Sequence, residues 1–210
     1  MTDLAIYGAG GFGRETALMI EQINRSEPCW NLLGFYDDSI SRNSTIDGLV
    51  VLGDLSDINA VVQPLALVIA IADPVVRSKA VASITNSHIT FPVLVHPHAL
   101  MGSMTNFFGR GTLITAGCVL TTGIVTGEFT IINLASTIGH DAKLGSFSSV
   151  MPGCNISGHV EIGECTLIGT GAKILQNRTI GKNCKIGAGA VVTKSFGDGL
   201  TLVGVPARMK

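Results

Sequence analysis

The sequence predicts two architectures in series, a small α/β unit over residues 1–90 and a prism of stacked parallel strands over residues 108–197. Three observations carry this reading. A branched aliphatic residue returns every six residues from Ile114 to Val192. Glycine follows that residue at positions 127, 139, 145, 163, 169, 181 and 187. Near the N-terminus, the apolar run Leu4–Tyr7 leads through Gly8-Ala9-Gly10-Gly11-Phe12-Gly13 into a helical pattern. Composition agrees: 26 glycines, 5% aromatic and 14% charged residues suit thin, closely stacked backbone layers.

In the α/β unit, Leu4–Tyr7 reads as a buried strand and Arg14–Asn24 as the helix after the glycine turn. Leu32–Tyr36 is a second strand ending at Asp37-Asp38, and Leu67–Ile71 a third. Asp73-Pro74 then opens a helix, with a capping carboxylate and a proline at its first position. Strand, glycine turn and helix N-terminus form a Rossmann-like phosphate cradle, because free N–H groups and the helix dipole favour anions. The same turn can also exist without a ligand. Asp37 lies 24 residues after Gly13, a spacing compatible with a nicotinamide dinucleotide. A unit of this length holds only one mononucleotide-binding half, however, which suits a single nucleotide. Asp37 and Asp38 read equally well as solvated turn residues. Residues 91–107, including His96-Pro97-His98, read as a connector, and 198–210 as a C-terminal tail.

In the repeat, thirteen of the fourteen positions from 114 to 192 at intervals of six are Ile, Leu or Val, with Thr126 the single lapse. The residue two places before the next aliphatic is usually small, as at Cys118, Ser136, Ala142, Cys154 and Ala172. Two residues apart on a strand face the same side, so both point inward. The residues between form a turn. Three such units close a triangular coil of eighteen residues, and 108–197 holds five coils, each rising ~4.8 Å. A helix would need apolar spacings of three and four instead. Ile124 and Val160 are large for their inward slots. Arg178 occupies another, and a bulge after Ile174 is expected to turn it outward.

His140 and Asp141 fall at a coil corner and face outward. A histidine beside a carboxylate on a rigid corner suits a general base, and equally a surface pair on a turn. His159 follows 19 residues later without an evident partner and reads as structural.

The segments GAGGFGRE, GFYDD, INLASTIGHDAKLG and GVPARMK, in this order, resemble bacterial sugar acyltransferases of the sialic acid O-acetyltransferase-like family. The resemblance implies a left-handed parallel β-helix of hexapeptide repeats, acetyl-CoA as co-substrate and a nucleotide-sugar acceptor. It places phosphate at Gly10, Gly11 and Phe12, and the nucleoside at Asp37 and Asp38. Ala72 stands where relatives often carry glycine beside the nucleotide. His140 matches the base, Asp141 its acidic neighbour and Asn133 a polar helper. Ser149 stands where relatives carry a second histidine near the acyl thioester. Thr170 and Ala188 match positions lining the coenzyme groove. The resemblance also implies homotrimers with active sites between protomers.

The expected activity is therefore acetyl transfer to the amine of a nucleotide-linked amino-dideoxy sugar. Sugar O-acetylation and non-catalytic nucleotide-sugar binding are the alternatives. With only two histidines in the repeats, a three-histidine metalloenzyme on the same coil is not expected, and no metal is assigned. A net charge of -1 argues against nucleic acid as a partner. The N-terminus has no signal-peptide pattern, and the longest apolar run, Leu65–Ala72, is too short to span a bilayer. Five cysteines without a CxxC pair fit a reduced, cytoplasmic protein.

Overall fold

The computed structural model describes residues 1–102 and 105–210, which divide into two compact units, residues 1–72 with 76–92 and residues 73–75 with 93–210. In chain order the first part runs β1 (Thr2–Tyr7), α1 (Gly11–Ser26), β2 (Trp30–Tyr36), β3 (Thr45–Ile46), β4 (Leu49–Gly53), α2 (Leu55–Asn59), β5 (Leu65–Ile69), α3 (Pro74–Ala82) and β6 (Ile89–Thr90). The sheet order is β3-β4-β2-β1-β5-β6, parallel except for β3. β1 and β5 sit at its centre and are nearly continuous in apolar residues, as strands buried on both faces require. Asp73 opens α3 as expected, its carboxylate accepting the Val75 N–H at 2.9 Å. The hairpin of β3 and β4 was not expected, although Asp47-Gly48, both at positive φ, supplies its turn. Asp54 begins α2 with a reciprocal capping box to Asp57.

The second unit is the left-handed parallel β-helix. Its first face stacks Leu94–Val95, Leu113–Ile114, Ile131–Ile132, Ser149–Val150, Leu167–Ile168, Lys185–Ile186 and Thr201–Val203, with Arg208–Met209 added antiparallel. The second stacks Leu100–Met101, Val119–Leu120, Thr137–Ile138, Asn155–Ile156, Lys173–Ile174 and Val191–Val192. The third stacks Phe107–Phe108, Val125–Thr126, Lys143–Leu144, Glu161–Ile162 and Thr179–Ile180. Every second residue of the central strands points inward, and Ile114, Ile132, Ile138, Val150, Ile168 and Ile174 are fully buried. Each such side chain contributes roughly 1.5–3 kcal/mol of transfer free energy.

The ladders extend beyond 108–197. Residues 94–101 and Phe107, expected as a connector, pair together with Phe108 as the first coil, and Thr201–Val203 of the expected tail pairs with Lys185–Ile186. Irregular spacing hid this, because Met101 and Phe108 lie seven apart where the later hexads keep six. Thr126 fits the core because its hydroxyl lies 3.2 Å from that of Thr112 and accepts the Gly109 N–H at 3.3 Å. Ile124 and Val160 are fully buried in their slots. The bulge expected near Arg178 is not there: the strands on either side keep register. Arg178 stays half-buried just before Thr179–Ile180, the last full strand of the third face, beyond which only the single bridge Ile180–Phe196 continues among the described residues. Its Nη1 donates to the Asn177 carbonyl at 3.1 Å, and its Nε is buried without a partner.

Candidate active site

Many coil corners carry one residue in the left-handed region whose N–H is donated to a carbonyl one coil below. Asp141 (φ 60) donates to the Thr122 carbonyl at 2.9 Å, and His159 (φ 53) to the His140 carbonyl at 2.8 Å. This stacking fixes a vertical column on the edge between the second and third faces. Asp141 lies above Gly123, His159 above Asp141, and Gly158 above His140.

The side chains on that edge form one cluster. His140 Nδ1 lies 2.8 Å from Asp141 Oδ2. An ionised carboxylate only accepts, so Nδ1 carries the hydrogen and Nε2 keeps the free lone pair. The bond from His140 holds the Asp141 carboxyl below the usual carboxylate range, against a small opposing effect of burial, and the charge of His159 adds to the lowering. His159 Nε2 stands 3.5 Å from the same Asp141 oxygen, and its ring meets that of His140 edge-on, centroids 4.9 Å apart. His140 and His159 are both about half exposed. One ligand atom from each of His140, Asp141 and His159 falls within 4.8 Å of the others. The Asp141 oxygen is already engaged by His140, so the arrangement is suited to moving a proton at Nε2. His159, expected to be structural at 19 residues from His140, joins this cluster. Counted from Asp141, it lies eighteen residues on, one full coil.

The other expected residues of this unit lie elsewhere on the prism. Asn133 is buried on the edge between the first and second faces, its Oδ1 accepting the Leu134 N–H at 2.8 Å. Thr170 and Ala188 are exposed one above the other on that same edge. Ser149 is fully buried in a strand of the first face. Within one chain, none of these four joins the His140 cluster.

In the first unit, α1 starts at Gly11 without a side-chain cap. A side chain at Gly10 or Gly11 would meet nothing within 4 Å, whereas one at Gly13 would strike the Gly8 carbonyl. Gly13 thus lets α1 close onto the turn after β1. Gly10 and Gly11, with half-buried Phe12, leave the helix N-terminus open. Asp37 binds this turn, Oδ2 accepting the Ala9 N–H at 2.8 Å while Oδ1 accepts the Ser39 N–H and hydroxyl at 2.9 and 2.6 Å. Burial alone would raise the Asp37 carboxyl, but these hydrogen bonds hold it below the ordinary range. Asp38 accepts the Tyr7 hydroxyl at 2.5 Å and the Leu55 N–H at 2.9 Å. Both carboxylates are hydrogen-bonded, Asp37 half-buried and Asp38 exposed within the turn. Ala72 is half-buried, and its carbonyl accepts from Arg77 Nη1 at 3.1 Å. A groove of about 770 Å³ runs beside α1, lined by Gly11, Arg14, Leu18, Leu32, Asp47 and Leu49. It takes in only Gly11 of the expected residues.

Residues 3–84 match the PglD N-terminal domain, and residues 159–194 match the bacterial transferase hexapeptide family of six repeats. The chain is 31% identical over 152 residues to GDP-perosamine N-acetyltransferase of Escherichia coli O157:H7, covering 71% of this chain and 68% of that protein. Among solved structures, the acetyltransferase domain of PglB from Neisseria gonorrhoeae FA1090 superposes with a TM-score of 0.91 at 30% identity, over the whole of both chains. PerB from Caulobacter crescentus, in complex with CoA and GDP-perosamine, superposes with a TM-score of 0.89 at 27% identity, over 100% of this chain and 98% of that one. The chain belongs to the hexapeptide-repeat sugar acyltransferases.

Proposed function

We propose that this chain transfers the acetyl group of acetyl-CoA to the amine of a nucleotide-linked amino-dideoxy sugar, with His140 as general base. The observation that carries the reading is the bond from His140 Nδ1 to Asp141, which commits Nε2 to proton abstraction on the outer edge of the prism. The relatives support the substrate class: one is a GDP-perosamine N-acetyltransferase, and another holds CoA together with GDP-perosamine.

The acceptor nitrogen attacks the thioester carbonyl, forming the C–N bond. Its proton passes to His140 Nε2, and Asp141 stabilises the imidazolium. The C–S bond then breaks, and the departing sulfur takes up a proton to leave as free thiol. Gly10, Gly11 and Phe12 would offer helix N–H groups to the nucleotide phosphates. Asp37 would shape that turn through Ala9, Asp38 would bound the nucleoside side, and Ala72 would line it. The coenzyme would run along Thr170 and Ala188, and Asn133 would donate its amide N–H to the acceptor. Ser149, buried, would serve packing near the thioester.

Thr170 and Ala188 stand on one edge and His140 on the next, so a homotrimer, with a second prism laid against the face between them, would complete each site. Leu100 (67% exposed) and Met101 (39% exposed), on that second face, support such packing. Among the described residues no helix is long and apolar enough to cross a membrane. Acetyl-CoA and nucleotide sugars are intracellular metabolites, and a cytoplasmic location follows from using them. Thiol release from acetyl-CoA across UDP-, GDP- and dTDP-linked amino sugars tests the reading, with the parent hydroxyl sugars as controls. Release with an amino sugar supports it; release with hydroxyl sugars alone makes the enzyme an O-acetyltransferase. No release with any acceptor contradicts catalysis.

A further inference from the structure

We propose that His159 is a positioning residue for this reaction, holding the Asp141 carboxylate in line with the His140 ring. The inference rests on the reading of His140 as base. A carboxylate on an exposed corner is free to rotate toward water, and Asp141 is half exposed. Two imidazoles border it from different directions. His140, its neighbour in sequence, bonds Oδ2 at 2.8 Å, and His159, one coil above, stands 3.5 Å from that same oxygen. The backbone makes the arrangement rigid, because His159 donates its own N–H to the carbonyl of His140 at 2.8 Å. The coil that places His159 over Asp141 therefore hangs from the very residue whose ring is to be aligned. His159 and His140 meet edge to face at 89°, which limits rotation of the base as well.

The chain itself shows that the corner tolerates other side chains. Ala135, Asn177 and Asn183 occupy the equivalent left-handed position in other coils, at φ 55, 59 and 54. His159→Asn therefore removes the imidazole while keeping the backbone. A positioning role acts through Asp141, so a double-mutant cycle isolates it from a general effect on the fold. His159→Asn is expected to lower kcat about tenfold, with the KM of acetyl-CoA and of the sugar nucleotide changed less than about twofold. In an Asp141→Asn background the same change should cost less than about twofold. An equal loss in both backgrounds, or full activity of His159→Asn in the parent enzyme, overturns the proposal. His140→Ala, measured alongside, separates the two claims. If it is inactive while His159→Asn is unaffected, the base stands and the positioning role falls. If His140→Ala remains fully active, both fall together.

Discussion

The imidazole of His140 occupies the space in which a side chain at Gly158 would begin: a Cβ built there would overlap ring atoms Nε2, Cε1 and Cδ2. The residue above the base must therefore be glycine for the ring to lie against the prism, where Nε2 is the ring atom nearest that glycine.

Gly158→Ala should consequently push the ring off its position without disturbing the ladder. The residue has an ordinary backbone conformation, so alanine brings no backbone strain. The expected outcome is a fall in kcat of about ten- to a hundredfold, as misplacement of a reacting group by an ångström costs. The melting temperature should change little. Steady-state kinetics beside a thermal melt checks it, and unchanged kcat would mean that the ring finds an equivalent seat.

The glycine turn offers a sharper contrast. A side chain at Gly10 meets open space, while one at Gly13 meets the Gly8 carbonyl. Gly10→Ala should keep the melting temperature within about two degrees and raise KM for the sugar nucleotide by intruding where phosphate would sit. Gly13→Ala should instead destabilise the first unit, because a backbone carbonyl cannot step aside, and lower its melting temperature by about 4 °C or more.

Asp37 predicts a pH dependence of stability. Its carboxyl is held below the ordinary value despite burial, by the bonds from Ser39 and Ala9. A depressed folded-state value contributes stability above the unfolded value, near pH 4, and that contribution is lost as pH falls through the folded value. Asp37→Asn should therefore lower the melting temperature at pH 7, and by progressively less as the pH falls below about 4. Melts across this range decide it. An equal drop throughout would assign the effect to packing rather than charge.

Much of this molecule is legible in its residues. The spacing of six from Ile114 to Val192 prescribes the strands that form, and the Asp73-Pro74 pair marks the start of α3. The first coil escaped because one extra residue between Met101 and Phe108 breaks the phase on which the pattern depends. The β3–β4 hairpin escaped because Thr45–Ile46 is too short to show alternation, although Asp47-Gly48 carried the turn signal. Within the site, His140 and Asp141 are neighbours in sequence and could be read directly. His159 and Gly158 join them only through the eighteen-residue coil, which stacks His159 on Asp141 and Gly158 on His140. The bonds from Ala9 to Asp37 and from Tyr7 to Asp38 link residues 28 and 31 positions apart, which no local pattern encodes.

The central claim is that His140 removes the proton from the acceptor amine. Its most direct test is the single-turnover rate of thiol release by His140→Ala, with acetyl-CoA and the best amino-sugar nucleotide both saturating. The account predicts a rate lower by about 10²–10⁴-fold with coenzyme affinity preserved. A rate within a few fold of the parent enzyme would contradict it.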